Sequence, residues 1–394
     1  MQTTKVTEIT QLSRSEIKDL ASATGPCISI LVPLDTAPDP SAQRSQNGLR
    51  VKHAIETAKN LLSEKTVAAE QSRLMLTAIE NLAQEAGEWP GGHTGLAIFR
   101  SPDVFQAFRV PREFPESVSV GDHFNIVPLL PLLDADPTFY ILALSQRHIR
   151  LLRCTGHSSE EVALPDSIPK TLWEDKQTDT PDHTQNNMSS GGPSTGSMKG
   201  VMFSTNTGRE DRGEYLMHFY KHVDKGVAEL LKAEGAPLVI AGVDYETALY
   251  RRENSYAHLV EQSVHGAADG LKGGELHKRA LEAVQPYFEA PLTQVLDRYE
   301  KQAGGERAST IVKQIVKAAF DGRVSELILA EGAQYMGNFD QATDRVKGHK
   351  QPLPGDEDLL NAAAAQTILH AGQVFVVPAS KVPHGAPAIA LFRY

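Results

Sequence analysis

The sequence predicts an α/β protein of three domains, with a mixed-sheet middle domain carrying a long Gly-Gly loop and a small α/β sandwich at its C-terminal end. Three observations predict it. Short apolar β-type runs alternate with stretches of helical periodicity along the whole chain. Its 394 residues exceed what one ordinary core organises. Breaks at Asp134-Ala135-Asp136-Pro137 and at Gly304-Gly305 divide it into 1–134, 135–303 and 304–394.

In the first domain, Ser13-Arg14-Ser15-Glu16 is a capping box that opens a helix ending near Gly25. Cys27-Ile28-Ser29-Ile30-Leu31-Val32 reads as a buried strand, stopped by Pro33. Helices follow over 46–64, with a stripe of Leu49, Ile55, Ala58 and Leu62, and over 68–86, with Leu74, Ile79, Leu82 and Ala86. The Gly/Pro cluster from Gly87 to Gly95 ends them, and strands are expected at Leu96–Phe99, Val104–Val110 and Phe124–Val127.

In the second domain, Thr138–Leu144 and Ile149–Arg153 read as a hairpin across Ser145-Gln146-Arg147-His148, with a short strand at Glu161–Leu164. Patterning then stops, and 173–210 reads as a polar loop, too long for a simple connection inside a compact domain. Asp211–Glu234 is an amphipathic helix, with Leu216, Phe219, Tyr220, Val223, Val227, Leu230 and Leu231 on one stripe. Pro237–Gly242 is a buried, parallel strand, and a helix runs from Gly273-Gly274 to Gln302 with Pro286 as a kink. The third domain alternates helix Ala308–Phe320, strand Glu326–Ala330, helix Glu357–His370, and strands Val374–Val377 and Ala388–Phe392.

With 39 basic and 49 acidic residues, the formal charge of −10 excludes a molecule that holds nucleic acid by bulk charge. Two distant cysteines, Cys27 and Cys154, give neither a disulfide framework nor a structural zinc site. The polar N-terminus shows no signal core, and the apolar stretch 127–144 is broken by three prolines and two aspartates, so a cytoplasmic, non-membrane protein is expected.

Several motifs dissolve on inspection. Gly192-Pro193-Ser194-Thr195-Gly196 matches a nucleophile elbow, but neither strand nor helix flanks it. Gly191 to Gly196 has P-loop spacing, yet Ser197-Met198 stands where a lysine must meet the phosphates. The glycines at 266, 270, 273 and 274 carry no dinucleotide fingerprint. His218 and His222 have the i, i+4 spacing of zinc ligands, but Phe219 follows the first and no third ligand is evident in the sequence. No metal, cofactor or catalytic residue is therefore expected. Two basic clusters remain: Arg44, Arg50, Lys52, His53 and Lys59, and the hairpin residues Arg147, His148, Arg150 and Arg153. Either tracks phosphates or decorates a solvated face.

The order of hairpin, polar Gly-Gly loop, amphipathic helix with Tyr220 and Val223, then Leu238-Val239-Ile240-Ala241-Gly242 resembles the middle domain of the archaeal and eukaryotic class-one release factors and of Pelota. Over its length the chain resembles their bacterial relatives, the bacterial archaeo-eukaryotic release factor-like family, which includes Balon-type ribosome hibernation factors. Supporting phrases are Gly25 to Pro33, Ala241 to Tyr245 with Leu249-Tyr250-Arg251, and Gly385 to Tyr394. The resemblance implies an N-terminal domain at the decoding region, a middle domain reaching the peptidyl-transferase centre, and a C-terminal domain similar to kink-turn-binding ribosomal proteins. The last contacts a partner, elongation factor Tu in Balon-type factors. Release factors carry Gly-Gly-Gln; here Gly191-Gly192 is followed by Pro193, which has neither an N–H nor an amide to place a reacting water.

The expectation is thus a non-enzymatic, ribosome-associated factor of the A site, acting in hibernation, stress protection or rescue. Arg50 and Lys52 are the candidates for rRNA contact, Gly191, Gly192 and Lys199 for the tip, and Arg209 and Arg212 for its return. A hydrolase with a rearranged loop, and an interaction module that never meets a ribosome, are the alternatives.

Overall fold

The strand from Cys27 to Pro33 is apolar at every position but Ser29 because both of its faces are covered. In a computed structural model, which describes residues 7–8, 12–35, 40–65, 67–85, 93–133, 137–145, 147–178, 207–268, 273–353 and 355–394, this strand is β2. It is preceded by β1 (Thr7–Glu8) and α1 (Arg14–Ser22), and followed by α2 (Pro40–Glu64), α3 (Ala69–Glu85), β3 (Gly95–Arg100), β4 (Phe105–Val110) and β5 (Ser117–Gly121). The strands form one sheet in the order β1-β4-β3-β2-β5. Ile28, Ile30 and Val32 meet Val51, Ala58, Met75 and Ile79 of α2 and α3, whereas Cys27 and Leu31 face the opposite core. The capping box forms as expected, with Ser13 Oγ accepting the Glu16 N–H at 3.3 Å and the Glu16 carboxylate accepting the Ser13 N–H at 2.8 Å.

Three readings of this region are corrected. Leu49 and Leu74 are 66% and 56% exposed; the buried stripes are Val51, Ala54, Ile55, Ala58 and Leu62, and Met75, Leu76, Ile79 and Leu82. Phe124–Val127 is no strand. Pro128 and Pro131 lack ladder donors, and the chain enters a 3₁₀ helix at Val127–Leu132. The edge strand is β5 instead, a short Ser/Val alternation that pairs with β2.

The middle segment holds β6 (Phe139–Ala143), β7 (Arg150–Cys154), β8 (Ser159–Val162), α4 (Leu172–Thr178), α5 (Thr207–Leu231), β9 (Leu238–Gly242), α6 (Asp244–Glu253), β10 (Val264–His265) and α7 (Gly273–Gln302). Its sheet runs β10-β9-β6-β7-β8, with β9 parallel to β6 and the β6–β7 hairpin antiparallel. Side chains alternate between two helical layers. Tyr140, Leu142, Leu238 and Ile240 pack on Leu216, Phe219, Tyr220, Val223 and Val227 of α5. Phe139, Ile141, Val239 and Ala241 pack on Leu276, Ala280, Ala283 and Val284 of α7. Leu230, expected on the α5 stripe, is 39% exposed. The expected polar loop 173–210 is shortened at both ends, since α4 occupies 172–178 and α5 begins at Thr207.

The C-terminal segment comprises β11 (Ala308–Ser309), α8 (Val312–Phe320), β12 (Val324–Ala330), β13 (Met336–Asp340), β14 (Arg345–Gly348), β15 (Glu357–Asp358), α9 (Leu359–Leu369), β16 (Gln373–Val377) and β17 (Ala388–Phe392). One sheet runs β11-β17-β12-β16 and a smaller one β14-β13-β15. The helix expected from Ala308 begins at Val312 because Ala308 and Ser309 pair with Leu391 and Ala390. In α9, Leu359, Leu360, Asn361 and the four alanines Ala362 to Ala365 are all buried, as befits a mostly apolar helix packed on more than one side.

Residues 1–135 and 292–394 form one compact unit and 136–291 another. The α/β class and its mixed middle sheet are as the sequence predicts. In the first unit, the N-terminal sheet and the C-terminal helices share one core: Phe99, Phe108 and Phe124 cluster with Ile315, Leu327, Leu360 and Ala364. Among the described residues, no helix is long and apolar enough to cross a membrane.

Candidate functional site

Around α5 the middle unit places polar groups with unusual economy. Thr171-Leu172-Trp173-Glu174 has the spacing of a capping box, and Thr171 Oγ1 accepts the Glu174 N–H at 3.1 Å while the Glu174 carboxylate accepts the Lys170 N–H at 2.8 Å. This cap starts α4, and one turn later α4 delivers Asp175 against α5. Asp175 is a buried carboxylate, 4% exposed. Its Oδ1 lies 2.6 Å from His222 Nδ1, and its Oδ2 lies 3.5 Å from His218 Nδ1. The two imidazoles stand one helical turn apart on α5, with ring centroids 4.3 Å apart and planes at 66°. Their side chains are 33% and 34% exposed. Ligand atoms of all three residues lie within 4.8 Å of one another. The third partner that the sequence did not reveal for His218 and His222 is therefore present. It sits in a stretch read as loop, and the Thr171–Glu174 cap was the signal that could have found it.

Behind this cluster α5 is fixed by a second buried carboxylate. Asp224 accepts the Tyr250 hydroxyl at 3.2 Å, the Ser255 N–H at 2.8 Å and the Ser255 hydroxyl at 2.6 Å, tying α5 to α6 and the turn that follows it. Burial, with Asp224 beside it, pushes the Tyr250 phenol well above its ordinary range, so it is a neutral donor here. At Gly226 the helix presses on Ile168 so closely that an added Cβ would lie 2.4 Å from Ile168 Cγ1.

The residues singled out from the sequence are scattered. Arg50 and Lys52 both lie on α2, but two residues apart they point to different sides of the helix. Arg50 turns inward and donates to the Pro33 carbonyl at 3.0 Å, and Lys52 is exposed. On the hairpin, Arg147, His148 and Arg153 are exposed, whereas Arg150 donates to the Ala268 carbonyl at 2.9 Å. Gly191, Gly192 and Lys199 lie outside the described residues. Arg209 and Arg212 stand on the first turns of α5, with side chains outside what is described.

Solved structures of translation factors align with the chain at low identity. The archaeal translation termination factor aRF1 shares 12% identity over 98% of this chain and 99% of its own, with a TM-score of 0.23. Archaeal Pelota, from a model of ribosome-bound Pelota and ABCE1, shares 10% over 98% and 95%, with a TM-score of 0.40. Saccharomyces cerevisiae Dom34, a translation termination-like factor, shares 12% over 74% of each chain, with a TM-score of 0.36. No curated protein matches the chain. The model of bacterial archaeo-eukaryotic release factor family 3 matches residues 138–323, and over that segment, which takes in the middle unit from β6 onward, the chain resembles the family that its sequence pointed to.

Proposed function

We propose that the chain is a ribosome-associated translation factor that occupies the A site without hydrolysing peptidyl-tRNA, acting in the cytoplasm in ribosome hibernation, stress protection or rescue. One observation carries this reading: the segment that matches the release-factor family, 138–323, contains Gly191-Gly192-Pro193 and no Gly-Gly-Gln. A proline at the third position removes both the backbone donor and the side-chain amide from the place where a water would be held.

In this reading the Gly191-Gly192 segment, with Lys199, enters the large-subunit centre as an occupant. Arg209 and Arg212 meet rRNA phosphates where the chain returns to α5, and Lys52 and Arg50 do so at the decoding region. Arg50, already bonded to Pro33, has only its remaining donors to offer. The C-terminal segment meets a delivery partner, for which elongation factor Tu is the candidate. Because the whole chain carries a charge of −10, binding rests on a few local phosphate contacts and weakens steeply as salt rises.

Sucrose-gradient co-sedimentation from growing and stressed cells, at low and high salt, tests the reading. Ribosomal fractions should contain the protein, and release of peptide from stalled ribosomes should stay at background. Absence from every ribosomal fraction at low salt would leave an interaction module off the ribosome. Peptide release that disappears with Gly191→Ala or Gly192→Ala would make it a hydrolase.

A further inference from the structure

Two histidines one turn apart on α5 and a carboxylate buried beneath them on α4 form a donor set that the ribosomal reading does not use. We propose that Asp175, His218 and His222 bind one divalent ion of the zinc class. The inference is independent of the ribosomal role.

The i, i+4 spacing aims both imidazoles from one face of α5, the arrangement in which helical histidines share an ion. Asp175 supplies a third donor and approaches both rings, at 2.6 and 3.5 Å. Its burial excludes the competing water that would satisfy an exposed carboxylate. Two nitrogens and one oxygen suit zinc, and also cobalt and nickel, whereas magnesium and calcium take oxygen shells.

The present geometry is that of a hydrogen bond, and the ion would replace it. With metal–ligand bonds of about 2.0 Å, ligand atoms of a tetrahedral shell lie roughly 3.3 Å apart. The Asp175–His222 contact of 2.6 Å is shorter than that, and the His218 contact of 3.5 Å is close to it. A shift of under about one ångström brings the Asp175–His222 contact to that spacing, with the three ligand atoms already within 4.8 Å of one another. Each imidazole then presents the Nδ1 lone pair and carries its single proton on Nε2; where the His222 Nδ1–H had bonded Asp175, that proton moves to Nε2 through solvent. Three protein ligands leave the fourth position to water or to an incoming group. Partial exposure of both histidines gives the ion access. Since α4 ends at Thr178 and α5 begins at Thr207, the ion would join the two helices between which residues 179–206 run in the sequence.

The test uses the tag-free full chain, stripped with a chelator and then titrated with cobalt(II), followed by its ligand-field absorption, and with zinc(II) by competition. One ion per chain should bind in a four-coordinate spectrum, and zinc should raise the melting temperature. The His218→Gln/His222→Gln variant, altered only at partly exposed side chains and checked for folding by circular dichroism, should lose affinity by at least about a hundredfold, the upper end of what removing even an outer partner of a ligand costs. Wild-type protein that binds neither ion more tightly than this variant, or whose melting temperature ignores zinc, would overturn the proposal. Should the double variant not fold, His218→Gln alone decides on the same two readouts.

Discussion

The side-chain amide of Asn361 holds the backbone around Ile126: its Oδ1 accepts the Ile126 N–H at 2.8 Å and its Nδ2 donates to the Phe124 carbonyl at 2.8 Å. An otherwise apolar helix, α9, thus satisfies a stretch of N-terminal chain that belongs to no strand. Asn361→Leu should keep the volume and orphan both of these backbone groups, together with the Val127 N–H that Oδ1 also accepts at 3.3 Å. The expected cost is roughly 2–6 kcal/mol, at about 1–3 kcal/mol for each of the two groups bonded at 2.8 Å, read as a lower urea midpoint at unchanged slope.

Gly226 lies inside α5, where alanine would ordinarily gain about 1 kcal/mol of helix propensity. Here the added Cβ would meet Ile168 Cγ1 at 2.4 Å and Cδ1 at 2.8 Å, and Ile168 is itself buried at 2% exposure. Overpacking of this kind costs about 1–3 kcal/mol, so Gly226→Ala should destabilise despite its propensity. In a double-mutant cycle, Ile168→Ala should absorb much of the effect; strict additivity would show that the clash is not the cause.

His123 meets Glu357, with Nδ1 and Oε2 3.5 Å apart, inside the first unit. The hydrogen bond to Glu357 holds the imidazolium above its ordinary value of 6.5, against the opposing effect of burial. A raised folded value means that the folded state holds the proton more tightly than the unfolded chain. The stabilisation is therefore fully present below pH 6.5 and is lost as the pH climbs through the raised value. Urea midpoints measured from mildly acidic to mildly alkaline solution should fall across that window, and Glu357→Gln should flatten the fall.

Both cysteines are buried, and burial pushes each thiol up to about 12, with Asp122 and Glu357 adding to the effect at Cys27. The nucleophilic thiolate is thus almost absent at neutral pH. Neither Cys27 nor Cys154 should react with iodoacetamide in the native protein, and both should react in denaturant. Rapid native labelling would mean that the core around β2 or β7 opens readily.

The elements most legible in the sequence were those whose faces are covered on both sides or on one regular stripe. The run of β2 is apolar but for the buried Ser29, and that of β9 throughout, because helices lie on both sides of their sheets. The α5 stripe was readable from its period. Short elements that depend on partners were not. The hairpin of β13 and β14 is held by an Asp340 turn that accepts from Ala342 and Thr343, with few buried residues to mark it. Asp175 escaped because it lies 47 residues from His222 and only α4 brings it there. The sharing of one core by Phe99 and Leu360 is likewise a matter of distant chain, which no local period encodes.

That shared core also orders events during synthesis. Among the described residues, the middle unit closes both of its cores with side chains between Phe139 and Phe288. The N-terminal sheet emerges first, and α1 and the 3₁₀ helix supply part of the cover on its second face, yet the rest, from α8 and α9, begins only at Val312, and the sheet beneath those helices is not complete until β17 is made. A growing chain must therefore carry a half-covered sheet past a finished neighbour, exposing Phe99, Phe108 and Leu31 while it waits. The earliest-made third is the last to be sealed, and it is the third that would need a chaperone.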